Sequence, residues 1–185
     1  EDLNRIDVTF GDQIRLFGCQ PDRTHLKAGE TLAVTCYWQA LRPVDADLRF
    51  FHHLLGRHLE PVVKEDGYPG GGSFPASLWP TGQIVAAKEE LALTDPAAGP
   101  VLSRLAVGIV ETDSGEYLVA VTPQGAEVEL AIASRVKIDP QQRQSIAVAN
   151  PVYYKVGDVA VLAGYSIEPG ETPLVTLYWQ VLNST

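Results

Sequence analysis

The strongest constraint on the fold is a two-residue alternation of apolar and polar side chains in short runs along the chain. In the clearest run, Thr31–Leu41, the large side chains of Val34 and Trp38 fall at alternate positions. Successive side chains of a strand point to opposite faces, so this run predicts a strand with one apolar inner face. Thirteen prolines and sixteen glycines break the chain between such runs, as turns between strands would require.

Seven further runs with this alternation predict about eight strands in all. They are Gln13–Gln20, Asp47–Leu55, Leu59–Lys64, Ile84–Leu93, Leu105–Glu111, Tyr117–Val121 and Val128–Ile138. The residues of Ile84–Leu93 favour helix, but the position of this run between other strands favours a strand. Because no segment has an apolar stripe at helical spacing, we predict an all-β fold. Short strands separated by turns favour a two-sheet antiparallel sandwich, of the immunoglobulin-like or carbohydrate-binding-module-like kind, over a closed barrel.

An internal repeat is visible in two places. Gly11–Gly18 (GDQIRLFG) is echoed by Gly157–Gly164 (GDVAVLAG), and Gly29–Leu41 (GETLAVTCYWQAL) is echoed by Gly170–Leu182 (GETPLVTLYWQVL). The two pairs differ in spacing only because the second connecting loop is shorter, and such length changes belong in loops. The sequence therefore predicts a second, partial copy of the same module.

The length of 185 residues allows one domain of ordinary size and a remnant. We expect a β-sandwich domain at 1–139, a linker at 140–152 and the partial second copy at 153–185. Two strands alone are marginal in water, so we expect 172–182 to be covered by the first domain, by another chain or by a missing remainder. The chain starts at Glu1 and contains no methionine, which predicts a processed chain or an excised piece of a longer protein.

The net charge of −9 argues against a nucleic-acid partner, because a polyanion would be repelled. No apolar run approaches the roughly 20 residues that a membrane-spanning helix requires. This segment is therefore not expected to bind nucleic acid or to span a membrane.

Five stretches carry a resemblance to a known family: GDQIRLFG at 11–18, GETLAVTCYWQAL at 29–41, FFHHLLG at 50–56, DGYPGGGSFPASLWPTG at 66–82 and LAVGIVETDSGE at 105–116. They resemble an extracytoplasmic β-sandwich module of bacterial membrane proteins similar to dolichyl-phosphate-mannose-protein mannosyltransferases. The resemblance implies a periplasmic or cell-surface location, a tether through a membrane region absent from this chain, and a role in glycoconjugate biology. It supplies no catalytic residue.

The chain has two cysteines, and their pairing depends on the regularity of one strand. Cys36 lies on the inner face with Trp38, whereas Cys19 has the opposite parity to Leu16 unless a bulge at Gly18 shifts it. In the resembling family, a tyrosine and an aliphatic residue are typical at the two cysteine positions. We therefore expect two separate small apolar residues rather than a disulfide.

Residues that could carry chemistry form no recognisable catalytic set. His52 and His53 are neighbours on a strand and point to opposite faces, so they cannot bind one ion together. We favour a hydrogen-bonded structural role for His52. Neither a CxxC nor an HxxxH pair is present, and no Ser lies in a nucleophile motif. We therefore expect no metal, no cofactor and no enzymatic activity in this segment.

The tryptophans are the most informative aromatic residues. Trp38 and Trp179 occupy equivalent places in the repeat, and we expect both in the core. Trp79 lies in a proline-rich loop with Tyr68 and Phe74, which supports two interpretations. The three rings are candidate carbohydrate-binding residues, because a flat ring can stack on a sugar. Alternatively, Trp79 and Phe74 form a hydrophobic plug at the open end of the sandwich.

These observations predict a non-catalytic extracytoplasmic β-sandwich module of a larger membrane-anchored, glycosyltransferase-like bacterial protein. Its expected partner is a glycan or a glycosylated acceptor. The alternative is a structural or assembly module without a small ligand, in which the strand at 172–182 makes homotypic contacts between chains. Exposure of Trp79 would favour the first hypothesis, and a buried Trp79 would favour the second.

Overall fold

The computed structural model describes residues 3–95, 99–139, 147–170 and 172–182. The chain divides into two compact units, Glu1–Gln141 and Gln142–Thr185. Of the linker expected at 140–152, residues 140–146 lie outside the described residues. Within the described ranges, no helix is both long enough and apolar enough to cross a membrane.

The first unit is built from short strands and two short 3-10 turns. The strands are β1 (Asn4–Phe10), β2 (Ile14–Pro21), β3 (His25–Lys27), β4 (Thr31–Ala40), β5 (Leu48–Leu55), β6 (Pro61–Gly67), β7 (Ile84–Ala92), β8 (Val101–Glu111), β9 (Ala120–Val121), β10 (Glu127–Val128) and β11 (Ala131–Asp139). The 3-10 turns, Pro69–Gly72 and Ala76–Leu78, both lie in the loop between β6 and β7.

The strands form two sheets that pack face to face. The first sheet has the order β10-β9-β1-β2-β4-β7, and the second has the order β3-β11-β8-β5-β6. Neighbouring strands are antiparallel apart from β3 and β11, which run parallel. The core lies between the sheets, where alternate side chains of β2, β4, β5 and β8 are buried. The predicted all-β, two-sheet sandwich is confirmed.

Most predicted strands are present, and the differences follow local rules. The run with helix-favouring residues forms β7, which pairs with β4 from Thr31↔Ala92 to Gln39↔Ile84 without a break. Only residues 120–121 of the predicted strand Tyr117–Val121 are strand. The strands β1 and β3 were not predicted. In β1 the register shifts between Arg5 and Val8, so this strand lacks regular alternation.

The two cysteines form a disulfide, so the expectation of two unpaired residues is wrong. The register of β2 against β4 shifts between Leu16 and Gly18, which places Cys19 directly opposite Cys36. This bulge adds one residue and moves Cys19 to the inner face. A Cβ atom on Gly18 would clash with the backbone carbonyl of Asn4, so glycine is required there. Both cysteines are fully buried.

The second unit contains β12 (Asn150–Val156), β13 (Ala160–Glu168) and β14 (Leu174–Val181), in the sheet order β12-β13-β14. The first of these strands begins inside the expected linker. These strands reproduce β1, β2 and β4. Leu162 pairs with Trp179 as Leu16 pairs with Trp38, and the register again shifts at the following residues. A Cβ atom on Gly164 would approach the carbonyl of Asn150, as one on Gly18 would approach Asn4.

One face of the second unit is apolar and solvent-exposed, and we call it the open face. It consists of Tyr154, Val156, Ala160, Leu162, Tyr165, Ile167, Val175, Leu177, Trp179 and Val181, which share one side of the sheet by their pairing. Trp179 is 53% exposed, whereas its counterpart Trp38 is fully buried. The expectation that Trp179 lies in a core is therefore wrong. Within the described residues, only the first unit has a second sheet that covers this face.

Removal of the disulfide should destabilise the first unit. The bond closes a loop with a sequence separation of 17 residues, for which the loss of chain entropy predicts about 3 kcal/mol. The free energy of unfolding, measured in urea, should fall by about this amount in Cys19→Ala/Cys36→Ala. A reductant should destabilise the wild-type chain and leave the double variant unchanged. If reductant leaves the wild-type chain unaffected, the two residues are not bonded in solution.

Candidate functional site

Trp79, the leading carbohydrate-binding candidate, is inside the first unit. Its side chain is only 5% exposed, and its ring lies 5.5 Å from the ring of Phe50, centroid to centroid. Phe50 in turn packs edge-on against Trp38 at 4.8 Å. The indole Nε1 of Trp79 donates a hydrogen bond to the carbonyl of Phe74 at 3.0 Å. The ring is held from both ends and offers no open face for a sugar, which is the position that the plug interpretation predicts.

The other two candidates do not complete an aromatic platform. Phe74 is 39% exposed, and its carbonyl accepts the hydrogen bond from Trp79. The hydroxyl of Tyr68 donates to Oδ2 of Asp47 at 2.9 Å and lies 3.4 Å from Oγ1 of Thr112. Tyr68 therefore ties the loop to the end of the second sheet. All three residues have contacts that hold the loop in place.

The histidines His52 and His53 point to opposite faces of β5, as predicted. His52 faces the core and is buried, and its Nε2 makes no hydrogen bond to any described residue. The expectation of a hydrogen-bonded His52 is therefore wrong. Burial lowers the pKa of His52 to about 4, and the neighbouring His53 lowers it further while Asp66 opposes the shift. The imidazole is neutral at pH 7 because a charge there would be desolvated.

His53 lies on the outer face, where its Nε2 and Oδ1 of Asp66 are 2.9 Å apart. The pair spans β5 and β6 and could hold a proton between the two groups. Within the described residues, no hydroxyl or thiol hydrogen-bonds to this imidazole, so the pair lacks the nucleophile of a triad. The buried hydroxyl of Ser103 is committed to the carbonyl of Val136 at 2.7 Å.

A groove of about 820 Å³ opens on the outer side of the second sheet, which is within the size range of small-molecule sites. Its lining includes Phe51, His53, Leu59, Gly108, Tyr117 and Glu127. A Cβ atom on Gly108 would clash with the ring of Phe51, so glycine makes room for this ring. Tyr117 meets Phe51 edge-on, with 5.6 Å between ring centroids, and is 68% exposed.

The sequence analysis missed this groove, although the sequence contains a signal for it. In the stretch FFHHLLG, apolar residues occupy both parities, because Phe51 and Leu55 alternate with the inner-facing Phe50 and Leu54. A strand that is apolar on both faces is usually covered on both. Phe51 and Leu55 are accordingly 7% and 6% exposed.

Carboxylates and possible metal ligands are dispersed. In the part of the chain that the structure describes, no three His, Cys, Asp or Glu residues lie together so that they could hold a metal ion. The pKa of Glu89, a half-buried carboxyl on β7, is raised mainly by burial and also by the charge of Glu65. Neither carboxyl lines the groove. An acid–base pair that faces a substrate cleft is thus absent from the described residues.

Comparison with known proteins gives no assignment. No protein-family model matches the chain, and no curated protein is significantly similar to it.

Trp79 and Phe74 should differ in their contributions to stability. We expect Trp79→Ala to lower the free energy of unfolding by about 3–5 kcal/mol, because it leaves a cavity and an unpaired carbonyl. Phe74→Ala removes a partly exposed ring and should cost less than about 1 kcal/mol. Urea unfolding of both variants measures the difference. If the two losses are equal, Trp79 is not a core residue in solution.

His52 should make the stability of the first unit depend on pH. Its pKa is about 4 in the folded chain against 6.5 for the free group, so the unfolded chain binds the proton more tightly. Stability should therefore fall by about 3 kcal/mol as the pH decreases from about 6.5 to about 4, and this loss should stop below pH 4. The slope in this window should be smaller in His52→Leu, as measured by urea unfolding at several pH values. His58→Leu, at an exposed histidine, is the matched control and should keep the wild-type slope.

Proposed function

We propose that the chain is a non-catalytic β-sandwich module with a structural role, repeated in tandem within a larger protein. One observation carries this proposal. The second unit repeats the strands of the first with the same register shifts, so Arg5↔Gly18 corresponds to Pro151↔Gly164 and Val8↔Leu16 corresponds to Tyr154↔Leu162. Repeated modules of this kind serve as spacers and assembly surfaces when they carry no reactive site.

The positions of the chemistry-bearing residues support the same proposal. The ring of Trp79 and the imidazole of His52 are buried, and the two cysteines are bonded to each other. These groups stabilise the sandwich from within, and none of them presents a reactive or stacking surface. A structural role requires nothing further from them.

An extracytoplasmic location is part of the proposal. The disulfide between Cys19 and Cys36 supports it, because such bonds persist in oxidising compartments and are rare in the cytosol. The family resemblance supports the same location and a tether to a membrane-anchored, glycosyltransferase-like protein. In that setting the module would hold neighbouring domains or chains at the membrane surface.

Glycan binding remains the second candidate, now at the groove rather than at Trp79. The observation that favours it is the exposed ring of Tyr117, which is steadied by Phe51 beside the polar pair of His53 and Asp66. Lys64 and Glu127 also line the groove and could bind hydroxyl groups. An aromatic ring flanked by a few polar groups is a common arrangement in carbohydrate sites.

A titration distinguishes the two functions. We expect no saturable chemical-shift changes when the labelled chain is titrated with a panel of bacterial glycans, because a structural module has no ligand to place. Saturable changes at Phe51, His53 and Tyr117 would contradict the structural role, provided that Tyr117→Ala abolishes them. The control is Tyr153→Ala, which removes an equally exposed tyrosine from the second unit, at 73% against 68%. Tyr153→Ala should leave any response in the groove unchanged.

A further inference from the structure

The open face is the largest apolar surface that the structure leaves without a cover. Seven of its side chains are more than half exposed: Tyr154, Val156, Ile167, Val175, Leu177, Trp179 and Val181. Monomeric soluble proteins rarely expose contiguous apolar patches larger than a few hundred Å², and larger patches mark interaction sites.

The repeat shows what this surface is built to contact. The counterparts of Val156, Leu177 and Trp179 in the first unit are Phe10, Cys36 and Trp38, and all three are buried. They are buried because a second antiparallel sheet packs over them. The open face therefore has the side-chain arrangement of the inner layer of a sandwich, and the matching partner is another apolar sheet.

We propose that the open face binds the open face of a second copy of this chain, so that two three-stranded sheets stack as the layers of one sandwich. This proposal rests on the structural role proposed above and names the partner. A two-fold contact is self-complementary, because each copy presents the same residues to the other. Across such a contact Trp179 meets apolar and aromatic side chains, as Trp38 meets Phe50 in the first unit.

The charge distribution favours this occupant. The chain carries a net charge of −9, but every residue of the open face is uncharged. Lys155 and Glu168 lie on the opposite side of the sheet, since they alternate with open-face residues along β12 and β13. Two open faces can therefore approach without placing like charges in contact.

The size of the surface sets the expected affinity. Three strands about 4.8 Å apart and eight residues long at about 3.3 Å each span about 14 by 26 Å. Such a patch lies at the low end of specific interfaces, which is typical of weak complexes. We therefore expect a dissociation constant on the order of micromolar, so that the dimer forms and dissociates with protein concentration.

Neighbouring tyrosines provide the matched test. Tyr154 lies on the open face and is 67% exposed, whereas Tyr153 lies on the opposite side and is 73% exposed. Sedimentation velocity of the full chain from about 1 to 200 μM should show a reversible monomer–dimer equilibrium. Tyr154→Asp and Trp179→Asp should each weaken dimerisation by about 100-fold or more, because they bury a carboxylate. Tyr153→Asp should leave the dissociation constant within about threefold of wild type.

Each outcome bears on the proposal separately from the structural role. A chain that stays monomeric at 200 μM, or a dimer that Tyr154→Asp and Trp179→Asp leave intact, overturns the homotypic partner. In the monomeric case the cover of the open face would be a different apolar sheet, of the kind formed by β5, β8 and β11. Circular dichroism of each variant checks that its β content is unchanged. A monomer that also binds no glycan leaves the structural role standing, and glycan binding in the groove overturns that role alone.

Discussion

The arrangement of the first sheet depends on one extra residue in β2. The bulge before Gly18 changes which face each side chain occupies, so that Leu16 and Cys19 both point inward although their parities differ. Without the bulge, Cys19 would face solvent and could not reach Cys36. The second unit has the same bulge before Gly164, where the facing pair is Tyr165 and Leu177 in place of two cysteines. The bulge therefore belongs to the module, and the disulfide is an addition that it permits.

Burial of an apolar face depends on a second layer that the strand itself does not encode. Trp38 and Trp179 have nearly the same neighbours in sequence and the same pairing in their sheets. Trp38 is buried because Phe50 packs against it from the opposite sheet, with Trp79 behind Phe50. Trp179 has no such layer among the described residues, and half of its surface remains exposed. The repeat predicts the sheet correctly and leaves its cover undetermined.

The sequence predicts the regular strands well and the irregular ones poorly. Alternation identified β4 and β5, and the position of β7 between strands outweighed its helix-favouring residues because β4 pairs with it along its whole length. It did not identify β1, where Asp7 adopts a positive φ within the register shift. The disulfide and the exposure of Trp179 were predicted wrongly for related reasons. Both depend on three-dimensional neighbours, through a bulge in one case and a missing layer in the other.

The same reasoning explains why residue type alone is a weak guide to function here. Tryptophan, histidine and cysteine attract attention in a sequence because they can stack, transfer protons or react. In the first unit, Trp79, His52 and Cys36 are all enclosed, so their chemistry serves stability. The surfaces available to a partner are formed by less conspicuous residues, such as Tyr117 above the groove and Tyr154 on the open face. Exposed apolar side chains that stability does not require are the stronger evidence for interaction, because solvent exposure of such groups is unfavourable.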